Sequence, residues 1–268
     1  MTSPPPGRDA PRARGVASDA AGVARAAGSA SSLAVLDAAV TTCRACPRLV
    51  SWRESVAAAP RASYAGQTYW GRGVAGFGPA DAAIVVLGLA PGAHGANRTG
   101  RVFTGDRSGD FLFAGLYRAG LANQPTSTAA DDGLVLRGVR VLAAVRCAPP
   151  GNAPTPAERD TCAPFLDAEL GLLPARVWVA LGGFAFAAAL GSLARRGLTL
   201  PRPRPVFAHG SVATVGDRTL VGCYHPSQQN TFTGRLTPGM LDDVLATAVR
   251  LAGARAAPSP HAAPKVRP

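Results

Sequence analysis

Ala83-Ile84-Val85-Val86-Leu87-Gly88-Leu89-Ala90-Pro91-Gly92 is the stretch that decides the fold. An apolar run of this length, stopped by Gly and Pro, has the dimensions of a strand buried on both faces and is too short for a core helix. A helical pattern from Ser108 to Ala119 follows it, and the alternation then repeats. Val139 to Val145, Val177 to Leu181 and Thr219 to Tyr224 are strand-like, whereas Ala157 to Leu172, Phe184 to Arg195 and Pro238 to Leu251 are helical. Such alternation calls for right-handed crossovers, so the expected fold is α/β, a three-layer αβα sandwich around a central, mostly parallel four-stranded sheet. In these sheets ligands bind beyond the carboxyl ends of the strands. The loops that fall there are Gly88 to Asp106, Cys147 to Asn152, Gly182-Gly183 and His225 to Arg235.

Of the 268 residues 47% are hydrophobic and 16% charged, enough to build one sizeable core, expected over residues 33–252. Residues 1–32 and 253–268 are biased to Pro, Ala, Gly and Ser and are expected to be disordered tails, the second of them basic. Gly15 to Ala30 is alanine-rich but is interrupted by Arg25 and contains no long apolar run. A cytoplasmic, monomeric protein with no membrane partner is the expectation. The formal net charge is +12, of which about +7 remains on residues 33–252 once the tails are set aside. A basic core attracts phosphates by releasing counterions, which permits a nucleic-acid partner without specifying one. Lys265 is the only lysine. The folded part therefore has no amine with which to form a Schiff base on a sugar, and any sugar chemistry should use water.

Of the five cysteines, Cys43 and Cys46 form a CxxC, and Cys147 and Cys162 lie much further along. A CxxC turn brings two sulfurs to one side, and two distant cysteines complete a four-ligand set. Reduced thiols are the rule in the cytoplasm, and Arg44, Arg53 and Arg146 are near enough in sequence to favour thiolates, so a metal centre is preferred to a disulfide. Spacing alone does not choose zinc over iron–sulfur. Cys223 lies in an apolar strand and is read as a small core residue.

The loop from Gly88 to Asp106 reads as an anion or nucleotide loop, and it lacks the endings of a P-loop or a dinucleotide fold. Gly88, Ala90, His94 and Phe103 are its substrate-binding candidates. An aromatic between Arg101 and Thr104 is either plain packing or the face on which a flipped base stacks. Arg98 and Arg101 are candidates for phosphate contact, with loop bracing as the alternative. In the second loop His225 stands at a strand end, ahead of Gln228, Gln229, Asn230 and Arg235.

At these residues the sequence resembles the uracil-DNA glycosylase superfamily and, within it, the family 5 (type b) enzymes. The resemblance runs from about Cys43 to Leu251. It rests on Gly88-Leu89-Ala90-Pro91, Gly95-Ala96-Asn97-Arg98-Thr99-Gly100-Arg101, Phe103-Thr104-Gly105-Asp106, His225-Pro226-Ser227, Tyr69-Trp70-Gly71-Arg72, Gly76-Phe77-Gly78, Arg146-Cys147-Ala148-Pro149-Pro150 and all four cysteines. It implies a monofunctional DNA glycosylase acting on double- and single-stranded DNA that contains uracil or other deaminated bases such as hypoxanthine and xanthine. It further implies a [4Fe-4S] cluster on Cys43, Cys46, Cys147 and Cys162, a base stacked on Phe103, and a hydrogen bond from His225 to the uracil O2. Gln228, Gln229 and Asn230 would push into the duplex, with Arg235 on phosphate.

Related families carry a water-activating carboxylate where this chain has apolar Leu89 or Ala90. The bond then breaks far enough for water to add without a strong base, or Asp106 or Asn152 serves instead. Asp106 has a second reading as the cap of the following helix, and Asn152 as a turn residue. The rival functions are an iron–sulfur electron-transfer protein and a non-catalytic zinc DNA-binding module.

Overall fold

The computed structural model describes residues 15–253. Three helices come first, α1 (Ala20–Gly28), α2 (Leu33–Thr42) and α3 (Pro47–Ala58). The α/β body follows as β1 (Ile84–Gly88), α4 (Ala96–Thr99), α5 (Arg107–Arg118), β2 (Val139–Ala143), α6 (Pro156–Leu172), β3 (Val177–Leu181) and α7 (Gly183–Arg195). It closes with β4 (Val212–Val215), β5 (Arg218–Cys223), α8 (Gln228–Phe232) and α9 (Pro238–Ala252).

The expected class holds, and the strand count is corrected from four to five. The sheet order is β2-β1-β3-β5-β4, parallel except for β4, which pairs antiparallel with β5. Strands β1, β2 and β3 are buried along their whole length, as continuous apolar runs require. Their side chains alternate between two cores: Ile84, Val86, Val141 and Val179 pack on α5 and α9, whereas Val85, Leu87, Leu142 and Trp178 pack on α6 and α7. Edge strand β4 is short and half-exposed, so it leaves no apolar run to read. Its sequence signal is the two-residue turn Gly216-Asp217, which joins Val215 to Arg218 across the hairpin.

The disordered tail expected through Ser32 is corrected over residues 15–32. Asp19 caps α1 by accepting from the Gly22 N–H at 2.6 Å, and Val23 and Ala27, one turn apart, are buried together with Leu36 and Phe165. Arg25 lies on the exposed face. Small apolar residues at i and i+4 are enough to dock a helix on α6 although the composition is that of a tail. The remaining tail expectations, on residues 1–14 and 254–268, lie outside the described residues; Gly253 ends α9 as a left-handed cap. Among the described residues no helix is long and apolar enough to cross a membrane.

Candidate active site and cysteine centre

Three strand ends, those of β1, β2 and β5, deliver their loops to one cleft of about 720 Å³, lined among others by Leu89, Ala90, His94, Phe103, Asp106, Asn152, His225, Gln228 and Gln229; the expected fourth loop, Gly182-Gly183 after β3, is not among its lining residues. Its floor is set by Gly88 and Phe103. A Cβ on Gly88 would stand 2.5 Å from the Phe103 ring, so the last residue of β1 has to be glycine for the ring to lie across it. Phe103 itself holds a positive φ of 52°, a conformation a bulky residue adopts only when its surroundings impose it. Gly88 thus serves the site through Phe103 and does not line the cleft, which corrects its reading as a direct substrate contact. The His225 ring lies 5.9 Å from the Phe103 ring, centre to centre. Burial pulls the His225 pKa down to about 4, so the imidazole is neutral at physiological pH.

The capping reading of Asp106 holds, and the residue also lines the cleft. Oδ1 caps α5 by accepting from the Gly109 N–H at 3.0 Å. Oδ2 packs on the glycine turn before α4, where a Cβ on Gly95 would overlap it. Burial raises its pKa, partly offset by the cap hydrogen bonds. It is the one carboxylate among the described residues lining the cleft. Asn152 is exposed at the rim with φ 56°, so the turn reading and the cleft position are both met. His94 shares a 3.0 Å hydrogen bond with the Tyr69 hydroxyl, and burial, with Arg61 and Arg98 nearby, lowers its pKa.

Two expected phosphate contacts are corrected. Arg98 is buried and donates to the His94 carbonyl, Gln67 Oε1 and the Gly105 carbonyl, with its guanidinium over the Tyr64 ring. Arg101, 5% exposed, donates to Thr104, Ser127 and the Ala130 carbonyl and pairs with Asp132 at 2.7 Å. Both brace the loop from within because α4 is a single turn ended by Gly100 at φ 80°, which folds the chain back on itself. Asn230 is likewise turned inward, donating from Nδ2 to the His225 carbonyl at 2.8 Å, whereas Gln228 and Gln229 are exposed on α8. Arg235 is exposed and lies over the Tyr224 ring. The exposed cations at the cleft are instead Arg61 and Arg107, the latter 5.9 Å from the ring of Phe232, which is 69% exposed. The lone aromatic in an otherwise polar loop was the signal for Phe232.

Arg98→Ala is therefore expected to lower stability by about 2–4 kcal/mol in denaturant melts, because three carbonyl-type acceptors lose their donor. It leaves the salt dependence of DNA binding unchanged. Arg107→Ala should do the reverse, leaving stability intact and reducing the slope of log K against log[salt] by about one unit.

Cys43, Cys46, Cys147 and Cys162 line one cavity between α2, α3, α6 and the end of β2, together with Arg146, Leu49, Val145 and Phe165. All four are free thiols, and burial raises each pKa, for Cys46 and Cys162 to about 12, with the neighbouring sulfurs adding to it. Deprotonated thiolates there need a cationic centre. Among the described residues no three His, Cys, Asp or Glu are gathered tightly enough for a single ion. Four sulfurs around one cavity, with buried guanidinium N–H groups beside them that lack acceptors, fit a polynuclear iron–sulfur cluster better than one zinc. The remaining cysteine, Cys223, is fully buried in the sheet core. Ala90 connects the two centres: it lines the cleft and also packs against the group of Leu49, Val145 and Cys147, on which Cys46 packs as well.

A mostly parallel sheet whose strand ends hold an aromatic floor, a neutral histidine and one carboxylate is the frame of an α/β glycosidase, and residues 75–248 match the family model of the Uracil DNA glycosylase superfamily. The chain is 57% identical over 230 residues to a type-5 uracil-DNA glycosylase of Mycobacterium tuberculosis (strain CDC 1551 / Oshkosh), covering 85% of this chain and 84% of the relative. It is 56% identical over 230 residues to one from Mycobacterium leprae (84% and 98% covered) and 53% identical over 216 residues to one from Thermus thermophilus (80% and 95% covered). The chain belongs to the type-5 uracil-DNA glycosylase family of this superfamily.

Proposed function

We propose that this enzyme flips uracil out of DNA and hydrolyses its N-glycosidic bond, and that it also accepts hypoxanthine and xanthine. The observation that carries the reading is the neutral His225 beside the Phe103 face at the floor of the cleft. An extruded base stacks on Phe103 while His225 donates to O2, where negative charge grows as the bond breaks. A donor placed there stabilises the transition state more than the ground state. Exposed Phe232, at the tip of α8, is suited to the gap a flipped nucleotide leaves in the base stack, and Arg61 and Arg107 to the phosphates around it.

Leu89 and Ala90 put no polar filter against the base, which supports broad acceptance of deaminated bases. Water adds late to an already cationic sugar, and Asp106 Oδ2 is the group placed to steer it. With no lysine in residues 15–253, the product is an abasic site in an intact strand. The enzyme acts as a monomer. Cys43, Cys46, Cys147 and Cys162 hold a [4Fe-4S] cluster that ties the N-terminal helices to the sheet edge. Incubating the protein with duplexes that carry uracil, hypoxanthine or xanthine, followed by cleavage at abasic sites, tests the proposal. Release of none of the three bases would discard it, and strand scission without that second step would discard monofunctionality.

Asp106→Asn separates the two duties of that residue. Asparagine is as good a helix cap as aspartate, so stability should hold, whereas Asp106→Ala should lose about 1 kcal/mol. If Oδ2 steers water, both variants slow base release by about 10²-fold or more. A full rate in Asp106→Asn would leave capping as its whole role.

A further inference from the structure

Two buried guanidiniums stand at the cysteine centre, and base excision uses neither. Arg53 of α3 is 1% exposed and donates from Nη1 to Cys147 Sγ at 2.8 Å and from Nη2 to the Cys43 carbonyl at 2.9 Å. Arg146, 2% exposed, lines the same cavity as the four sulfurs, and its main-chain N–H reaches Cys162 Sγ at 3.4 Å. Its Nη2 pairs with Glu169 at 2.5 Å. Its Nε and Nη1 have no hydrogen-bond partner, and nor does Nε of Arg53.

Buried cationic donors without acceptors are costly, so their presence beside four sulfurs points to an anionic acceptor at that place. The local charges agree. Glu169 is also held by Arg140, and Arg140 by Asp37, so two carboxylates offset two of the three arginines and leave one positive charge beside the cavity. A cluster with four thiolate ligands is a net anion that accepts hydrogen bonds at sulfur, and such bonds tune its potential.

We propose that Arg53 and Arg146 form a guanidinium cradle that hydrogen-bonds the sulfurs of the cluster on Cys43, Cys46, Cys147 and Cys162, raising its reduction potential and retaining its iron. The proposal rests on the iron–sulfur reading above. Positive charge and N–H donors at the sulfurs favour the reduced, more negative cluster, so removing them lowers the potential. They also cover the sulfurs from oxidants.

Holoenzyme and the variants Arg53→Met and Arg53→Lys, purified without oxygen, are compared in three ways: iron and sulfide content, an EPR-monitored redox titration, and the rate at which visible absorbance bleaches in air. Arg53→Met is expected to titrate at lower potential and to bleach several-fold faster, with Arg53→Lys, which keeps the cation, in between. Equal potentials and bleaching rates in all three proteins overturn the cradle. Wild-type protein without iron and sulfide overturns the cofactor reading instead. If Arg53→Met does not fold, Arg53→Lys and Arg146→Lys decide the matter, and wild-type potentials in both overturn the proposal.

Discussion

His225→Ala is expected to slow uracil release in single-turnover assays by about 10²–10³-fold, the loss typical of removing one oxyanion donor. Affinity for uracil-containing DNA should change little, because the O2 charge develops after binding. The side chain sits at the cleft with its carbonyl, not its ring, engaged by Asn230, so removing the ring leaves that brace in place. The pH dependence distinguishes a neutral from a cationic donor. Burial lowers the His225 pKa from 6.5 to about 4, so the native state prefers the uncharged ring. Its stabilising contribution is complete above 6.5 and is lost as pH falls towards 4. Catalysis by the neutral ring should therefore show no fall in rate as pH rises from 6 to 8. A wild-type alkaline limb near 6.5 that disappears in His225→Ala would show that the cation is the working form.

The strands of the parallel sheet were legible because burial on both faces turns them into unbroken apolar runs, and the loops at their C-terminal ends pointed to the cleft. The same logic is blind to β4, which has one face in solvent, and to α1, whose docking face is only Val23 and Ala27 in a segment with tail-like composition. In the site, residue type and loop membership were legible but direction was not. Arg98 and Arg101 belong to the right loop, yet the tight turn at Gly100 sends both inward, and the outward cations are Arg61 and Arg107. Phe103 and Gly88 show the reverse case. Each was singled out alone, whereas their roles exist only as a pair, since the ring occupies the place of the missing side chain.

The two residues that follow β1 into the cleft, Leu89 and Ala90, are both apolar. Both line the cleft, and Ala90 also packs against Leu49, Val145 and Cys147, so a charged side chain in its place would face the cysteine centre as well as the cleft. Among the described residues the one carboxylate lining the cleft is Asp106, across the glycine turn, where its cap hydrogen bond holds it still. On the proposed reading such a pocket would rely on stabilising the departing base more than on activating water.

On the proposed iron–sulfur reading, the double variant Cys43→Ser/Cys46→Ser is expected to lower the melting temperature by about 10–20 °C, since a cluster held by these sulfurs would add its binding free energy to folding and several kcal/mol would be lost at about 2–4 °C per kcal/mol. The two residues sit at a joint: Cys43 closes α2 and Cys46 stands at the N-cap of α3 without any side-chain cap bond. Helix α1 retains its contacts with α6 through Val23, Ala27 and Phe165, so the weak point created is the α2–α3 connection. Trypsin should then cut at Arg44 and Arg48, whose side chains are about half exposed and held by Glu54 and by Glu158 with the Ala153 carbonyl. Because Ala90 packs against the group of Leu49, Val145 and Cys147, and Leu49 belongs to α3, loosening α3 should also reach the cleft and slow base release. Unchanged melting and unchanged tryptic cleavage in the double variant would mean that the four sulfurs hold nothing that binds the N-terminal helices to the sheet.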